Sequence, residues 1–141
     1  MRPPRVVFDA SVVVAAALTP NRQSAACLLA VAVGTGDLTM IVSPEIVAEY
    51  RRTVVEHAAL ARSEDPVALV EDLVEAAETV TPEPVKAVRA DPTDDVYLGT
   101  AIAAGAAFLV TFDRRHLLPL DPFRGIRIVT PGTLLAKLRG R

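Results

Sequence analysis

The chain has few aromatic residues, only 4% of its length, so its core must be built from Ala, Val and Leu. It has one cysteine, Cys27, which excludes an internal disulfide and suits a reducing cytosol. That cysteine lies in an apolar helical stretch and reads as a small buried hydrophobe. Only two histidines occur, His57 and His116, in unrelated segments, so nothing points to a zinc site. Excess positive charge is absent too. The net charge of -2 gives no bulk attraction to nucleic acid. No apolar run reaches the roughly 18 residues of a membrane span. Arg2 and Arg5 before an apolar run resemble a secretion signal, but Pro3-Pro4 precede that run and Asp9 interrupts it. The segment is read instead as a strand, in a cytoplasmic protein.

Hydrophobic residues make up 51% of the 141, enough for one folded domain over residues 1–141 with a real core. Arg5-Val6-Val7-Phe8 reads as a buried strand ended by Asp9. Ala10 to Leu18 reads as a helix, and Ser24 to Val33 as a second one closed by Gly34 and Gly36. Leu38 to Val42 is the next strand. Ser43-Pro44 gives an N-cap and a first-position proline for a helix reaching about Ala61. Glu64-Asp65-Pro66 starts a helix over Val67 to Glu78, and Thr81 to Arg89 is a proline-interrupted connector. Ile126 to Val129 is a last strand. Pro131 begins a last helix, Gly132 to Leu138, before a basic end of Lys137, Arg139 and Arg141. Strands alternating with helices indicate a mostly parallel sheet covered on both faces.

The most informative stretch is Arg89 to Leu118. Asp91-Pro92-Thr93-Asp94-Asp95 is an acidic turn that starts a helix, Val96 to Ala104, because carboxylates accept from its free N–H groups and complement its dipole. Ala107 to Val110 has the composition of a buried strand. It ends in Thr111-Phe112-Asp113, and Arg114 to Leu118 reads as another helical turn. Ligands of open parallel sheets collect outside the carboxyl ends of the strands. Asp9 and Asp113 both stand there, and Asp95 opens a helix at the same edge.

Glu45 and Glu49 share one helix. At about 100° per residue, Ile46, Val47, Tyr50 and Val54 form its apolar stripe. Glu49 falls beside the stripe's edge, where it either points into a cleft or pairs with Arg52 and Thr53. Glu45 is turned further away and reads as a first-turn acid facing the dipole. Three acids at Asp91, Asp94 and Asp95 exceed what one cap needs, and Asp91 before Pro92 suits an Asx-turn.

Carboxylates that converge without basic partners raise each other's pKa values. A hard divalent cation removes that cost, and Mg2+ takes oxygen ligands, usually one or two carboxylates. Two such ions can activate a water and stabilise the leaving oxygen of a phosphodiester.

FDASVVVAAAL, SPEIVAEYRRTV, DPTDDVYLGTAIAAGAAFLVTFDRRHLL and IRIVTPGTLL, in this order, resemble the PIN-domain family. Within it they are similar to the toxin components of toxin–antitoxin systems, relatives of VapC-type toxins. The resemblance implies a PIN-like three-layer α/β/α sandwich with a mostly parallel central sheet. It also implies a ribonuclease dependent on Mg2+ or Mn2+. It puts the four catalytic and metal-binding acids on Asp9, Glu49, Asp95 and Asp113. Ser11 and Thr111 match supporting polar positions, with Ser11 standing where many relatives have Asn or Thr. Asp94 is not separated from Asp95 in this role. The preference for RNA over DNA, a homodimer and a small antitoxin partner are the resemblance's alone; no membrane is implied. Arg51, Arg52, Arg114, Arg115 and His116 adjoin the site in sequence. They either contact phosphate, positioning the backbone without reading bases, or are ordinary solvated surface charges, the commoner case for any single one.

Two other enzyme classes fit poorly. A haloacid-dehalogenase-type phosphatase needs an acid two places after its first Asp, where Ser11 stands. A phospho-receiver domain needs a late strand-end lysine, and the only lysines are Lys86 and Lys137. The non-enzymatic alternative is a PIN-like module that only binds RNA or protein. It predicts a missing acid, and all four are present.

Overall fold

The computed structural model describes residues 2–60, 65–88 and 91–140. Arg89, Ala61, Glu64 and Arg141, which bound several of the expected elements, lie outside the described residues.

Five strands form one parallel sheet: β1 (Arg5–Phe8), β2 (Thr39–Val42), β3 (Glu78–Thr79), β4 (Phe108–Val110) and β5 (Arg127–Val129). Their order is β3-β2-β1-β4-β5, with β1 in the centre. Val6, Val7, Leu109 and Val110 are wholly buried, as central strands covered on both faces require. Six helices complete an α/β/α sandwich: α1 (Ala10–Leu18), α2 (Ala25–Gly34), α3 (Pro44–His57), α4 (Pro66–Ala76), α5 (Pro92–Ala104) and α6 (Pro131–Arg139). Helices α1 to α4 pack on one another, while α5 packs across β1, β2 and β4.

The strand order places the site. From β1 the chain steps outward to β2 and then to β3. It next returns past β1 to β4, on the other side. The reversal lies between β1 and β4, and at such a switch point the loops leaving the two strands diverge and open a crevice. Asp9 follows β1 and Thr111 follows β4.

Tyr50, with no exposed surface, donates its hydroxyl to the carbonyl of Phe8. That bond draws α3 against the end of β1 and brings Glu49 with it. Helix α5 begins at Pro92, earlier than the expected Val96, so Asp94 and Asp95 lie inside its first turn. Asp91 is its N-cap and accepts from Thr93 N–H at 2.9 Å, an Asx-turn. The helix closes on Gly105 at φ +60°, a left-handed conformation that suits glycine.

Three expectations are corrected. Helix α4 stops at Ala76, and Glu78 with Thr79 forms the edge strand β3, held by pairing with β2. Ser43 stands at the N-cap of α3 but makes no side-chain cap bond; its buried hydroxyl accepts from Thr100 Oγ1 at 3.0 Å and ties α3 to α5. Of the expected helical turn Arg114 to Leu118, residues 114–117 form hydrogen-bonded turns and Leu118 opens a short 3-10 turn, Leu118–Leu120.

Candidate metal centre

Asp9 is 6% exposed and caps α1, accepting from Val12 N–H at 3.3 Å. Both its oxygens are occupied. Ser11 Oγ donates to Oδ1 and Thr111 Oγ1 donates to Oδ2. Each hydroxyl also accepts from the exit of β4. Phe112 N–H reaches Ser11 Oγ at 3.2 Å, and Asp113 N–H reaches Thr111 Oγ1 at 2.9 Å. Two hydroxyl bridges therefore fasten the segment after β4 to the carboxylate after β1. Burial pushes the Asp9 carboxyl up, the Ser11 and Thr111 bonds pull it back, and the nearby Asp113 charge adds to the rise.

Asp113 is held by its own turn. Its Oδ1 accepts from Arg115 N–H at 3.0 Å and His116 N–H at 2.9 Å. Its Oδ2 lies 3.4 Å from His116 Nδ1. Asp94 joins them: one ligand atom each from Asp94, Asp113 and His116 lies within 4.8 Å of the other two. The Asp94 carboxyl is raised to about 6, first by partial burial and then by the charges of Asp91 and Asp113. His116 opposes that rise, and Asp9 adds to it.

Asp95 stands elsewhere. Its Oδ1 accepts from Ala87 N–H at 2.8 Å and Val88 N–H at 2.7 Å. Its carboxylate holds the connector against α5, and Asp94 occupies the place in the cluster expected of Asp95. The two residues are about 100° apart on the helix, so their carboxylates leave it in different directions.

Glu49 pairs with Arg52, Nη2 to Oε1 at 2.6 Å and Nε to Oε2 at 3.3 Å, with Thr53 Oγ1 at 3.4 Å. This is the paired state that its place at the stripe's edge left open. Its charge still reaches the hydroxyl of Tyr97, as do those of Asp9 and Asp94. Tyr97 is buried, which raises its hydroxyl further than any of these charges, and that hydroxyl accepts from Ala10 N–H at 3.1 Å. Glu45 is less remote than its helical angle implies. It lines, with Glu49, Ile46, Pro92, Thr93 and Val96, one shallow cavity of about 240 Å3.

The flanking cations divide into two groups. Arg51 pairs with Glu71 at 2.7 Å, and Arg52 with Glu49 and Glu56, so neither is a spare phosphate ligand. Arg114 and Arg115 are exposed and make no ion pair among the described residues. His116 was legible only as a flanking base. Its three-residue spacing from Asp113 in a turn is the signal that brings its ring to that carboxylate.

Asp94 and Asp113 fit a hard divalent cation. Their oxygens are the donors that Mg2+ and Mn2+ prefer, and a cation there offsets both the burial and the neighbouring negative charges that hold the Asp94 carboxyl up. His116 adds a nitrogen that Mn2+ accepts more readily than Mg2+ does.

Comparisons with known proteins agree with the fold. The crystal structure of PAE2754 from Pyrobaculum aerophilum superposes with a TM-score of 0.63 at 20% identity, covering 98% of this chain and 91% of that one. At that identity the likeness is one of fold. No curated protein matches the chain. The family model described as PIN domain matches residues 5–115, from the start of β1 through the Asp113 turn. With that match spanning most of the sequence and both strand-end acids, the chain belongs to the PIN-domain family.

Proposed function

We propose that this protein is a ribonuclease dependent on Mg2+ or Mn2+ that hydrolyses phosphodiester bonds in RNA. The observation that carries the reading is the cluster of Asp94, Asp113 and His116 beside buried Asp9, at the sheet's switch point. Asp94 and Asp113 would hold the cation. When bound, the cation supplies an activated water and neutralises charge on the phosphodiester. Asp9 serves through its two hydroxyl bridges, which fix the backbone of Phe112 and Asp113. Arg114 and Arg115 are free to position the substrate's phosphates. Glu49 would join once its pair with Arg52 opens. The motif order favours the toxin of a toxin–antitoxin pair, acting in the cytoplasm as a homodimer and blocked by a small antitoxin. No helix of the described residues is long and apolar enough to cross a membrane.

The test is cleavage of labelled single-stranded RNA with millimolar Mn2+. Chelator should stop it, and Asp94→Asn should lower it by orders of magnitude while the fold survives. Cleavage that persists in chelator, or an Asp94→Asn variant as active as wild type, would sink the proposal. One observation favours a second reading, a module that binds RNA without cutting it: Glu49 and Asp95 are both engaged outside the cluster. Binding by wild type with metal bound but no cleavage would support it.

A further inference from the structure

Phe112 is 46% exposed, and among the described residues it is the one exposed aromatic. Its neighbour Thr111 is wholly buried. The backbone beneath the ring is held firmly. Thr111 N–H donates to Val129 O at 2.9 Å, Phe112 N–H to Ser11 Oγ at 3.2 Å, and Asp113 N–H to Thr111 Oγ1 at 2.9 Å. A ring anchored on so firmly held a backbone and left in water is a presented surface rather than a loose end.

The next residues in the chain narrow the choice of partner. Asp113 belongs to the acidic cluster. Arg114 and Arg115 come after it, both exposed and without ion pairs among the described residues. Four arginines are paired, Arg5 with Glu78, Arg51 with Glu71, Arg52 with Glu49 and Glu56, and Arg127 with Asp121. Arg2, Arg22, Arg124 and Arg139 share with Arg114 and Arg115 the lack of an ion pair among the described residues, but only Arg114 and Arg115 adjoin the acidic cluster in the chain. An exposed aromatic face followed closely in the chain by two exposed, unpaired arginines matches single-stranded nucleic acid. Bases stack on aromatic rings whatever their identity, and the backbone meets the cations. A protein partner calls for a contiguous apolar patch, and the residues after Phe112 are charged.

We propose that Phe112 is a base-stacking residue for single-stranded RNA, packing on a nucleobase beside the phosphate at the Asp94–Asp113 cluster, with Arg114 and Arg115 on neighbouring phosphates. This rests on the nuclease reading. It makes Phe112 a determinant of substrate position and not of the chemistry.

The experiment uses a short fluorescein-labelled single-stranded RNA and anisotropy in chelator, where no turnover occurs. Phe112→Ala is expected to weaken binding about 5- to 100-fold. Phe112→Trp should match wild type or bind tighter. Phe112→Leu, which keeps apolar bulk without a π face, should stay close to Phe112→Ala. An abasic oligomer of equal length should not distinguish wild type from Phe112→Ala. In Mn2+, the KM for the same RNA should rise in Phe112→Ala with kcat little changed. Equal binding by wild type and Phe112→Ala, or rescue by Leu as complete as by Trp, overturns the proposal. If wild type meanwhile cleaves, the nuclease reading stands without it. A wild type that neither binds nor cleaves this RNA refutes both.

Discussion

Thr111 donates its hydroxyl to Asp9 Oδ2 across 102 positions of the chain. The oxygen of that hydroxyl accepts the backbone N–H of Asp113 at 2.9 Å. One side chain thus fixes the first acid of the site and the backbone of the last. It can do so because β1 and β4 are hydrogen-bonded neighbours, with Phe8 paired to Val110.

Thr111→Val keeps the shape and removes the bridge. A buried carboxylate loses a donor and the Asp113 N–H loses its acceptor. Stability in urea is expected to fall by about 2–3 kcal/mol, and metal-dependent cleavage should fall with it. Thr111→Ser keeps the hydroxyl and should restore most of both. A Val variant as stable and as active as wild type would show the bridge to be incidental.

Asp94 and Asp95 should part company when metal is added. Binding to the folded form alone raises the melting temperature, so millimolar Mn2+ should raise that of wild type. Asp94→Asn removes a cluster charge and should abolish most of that rise. Asp95→Asn can still accept from Ala87 and Val88, and should keep it. Asp95→Ala strands two backbone donors and should lose about 2 kcal/mol with or without metal. The reverse ranking of the two Asn variants would return the metal-binding role to Asp95.

The metal-free protein should lose stability as pH rises through the weakly acidic range. The Asp94 carboxyl moves from its ordinary 3.8 up to about 6 in the folded state, so the folded protein there binds more protons than the unfolded one. Stability from this group is therefore fully present below 3.8 and lost progressively up to about 6. Buried Asp9 is shifted in the same direction. In chelator, the melting temperature of wild type relative to Asp94→Asn should be lower at about pH 7 than at about pH 5. Mn2+ competes with that proton, so its stabilisation should grow across the same interval. A difference between the two proteins that does not change with pH would mean Asp94 is not strained.

The sequence announced its elements wherever burial and chemistry were local. β1 and β4 are short apolar runs ended by a polar residue, and their ends are where the sheet opens. α5 could be read from its acidic turn, with Asp91 capping it. β3 could not be read, because Glu78 and Thr79 are exposed and become a strand only by pairing with β2. The choice between Asp94 and Asp95 was hidden for a similar reason. It depends on where the connector crosses α5, since the N–H groups of Ala87 and Val88 claim Asp95. Glu49 was ambiguous because either a cleft or Arg52 could take its charge, and in this state Arg52 takes it.

Gly99 shows how tightly that connector is seated. A Cβ there would lie 2.1 Å from the carbonyl oxygen of Glu83, and Glu83 N–H donates to Gly99 O at 3.0 Å. Replacing a mid-helix glycine by alanine ordinarily stabilises by up to about 1 kcal/mol. Here the obstacle is backbone, which cannot swing aside as the end of a flexible side chain can. The connector must lift off α5, losing the Glu83 bond and straining the two that Asp95 accepts. Gly99→Ala is therefore expected to destabilise by about 2 kcal/mol, a reversal of the usual sign, measured by urea denaturation. The loss should overlap with that of Asp95→Ala, because both free the same segment, so the double variant should cost less than the sum. Full additivity, or a Gly99→Ala variant more stable than wild type, would show that the connector is not held at this point.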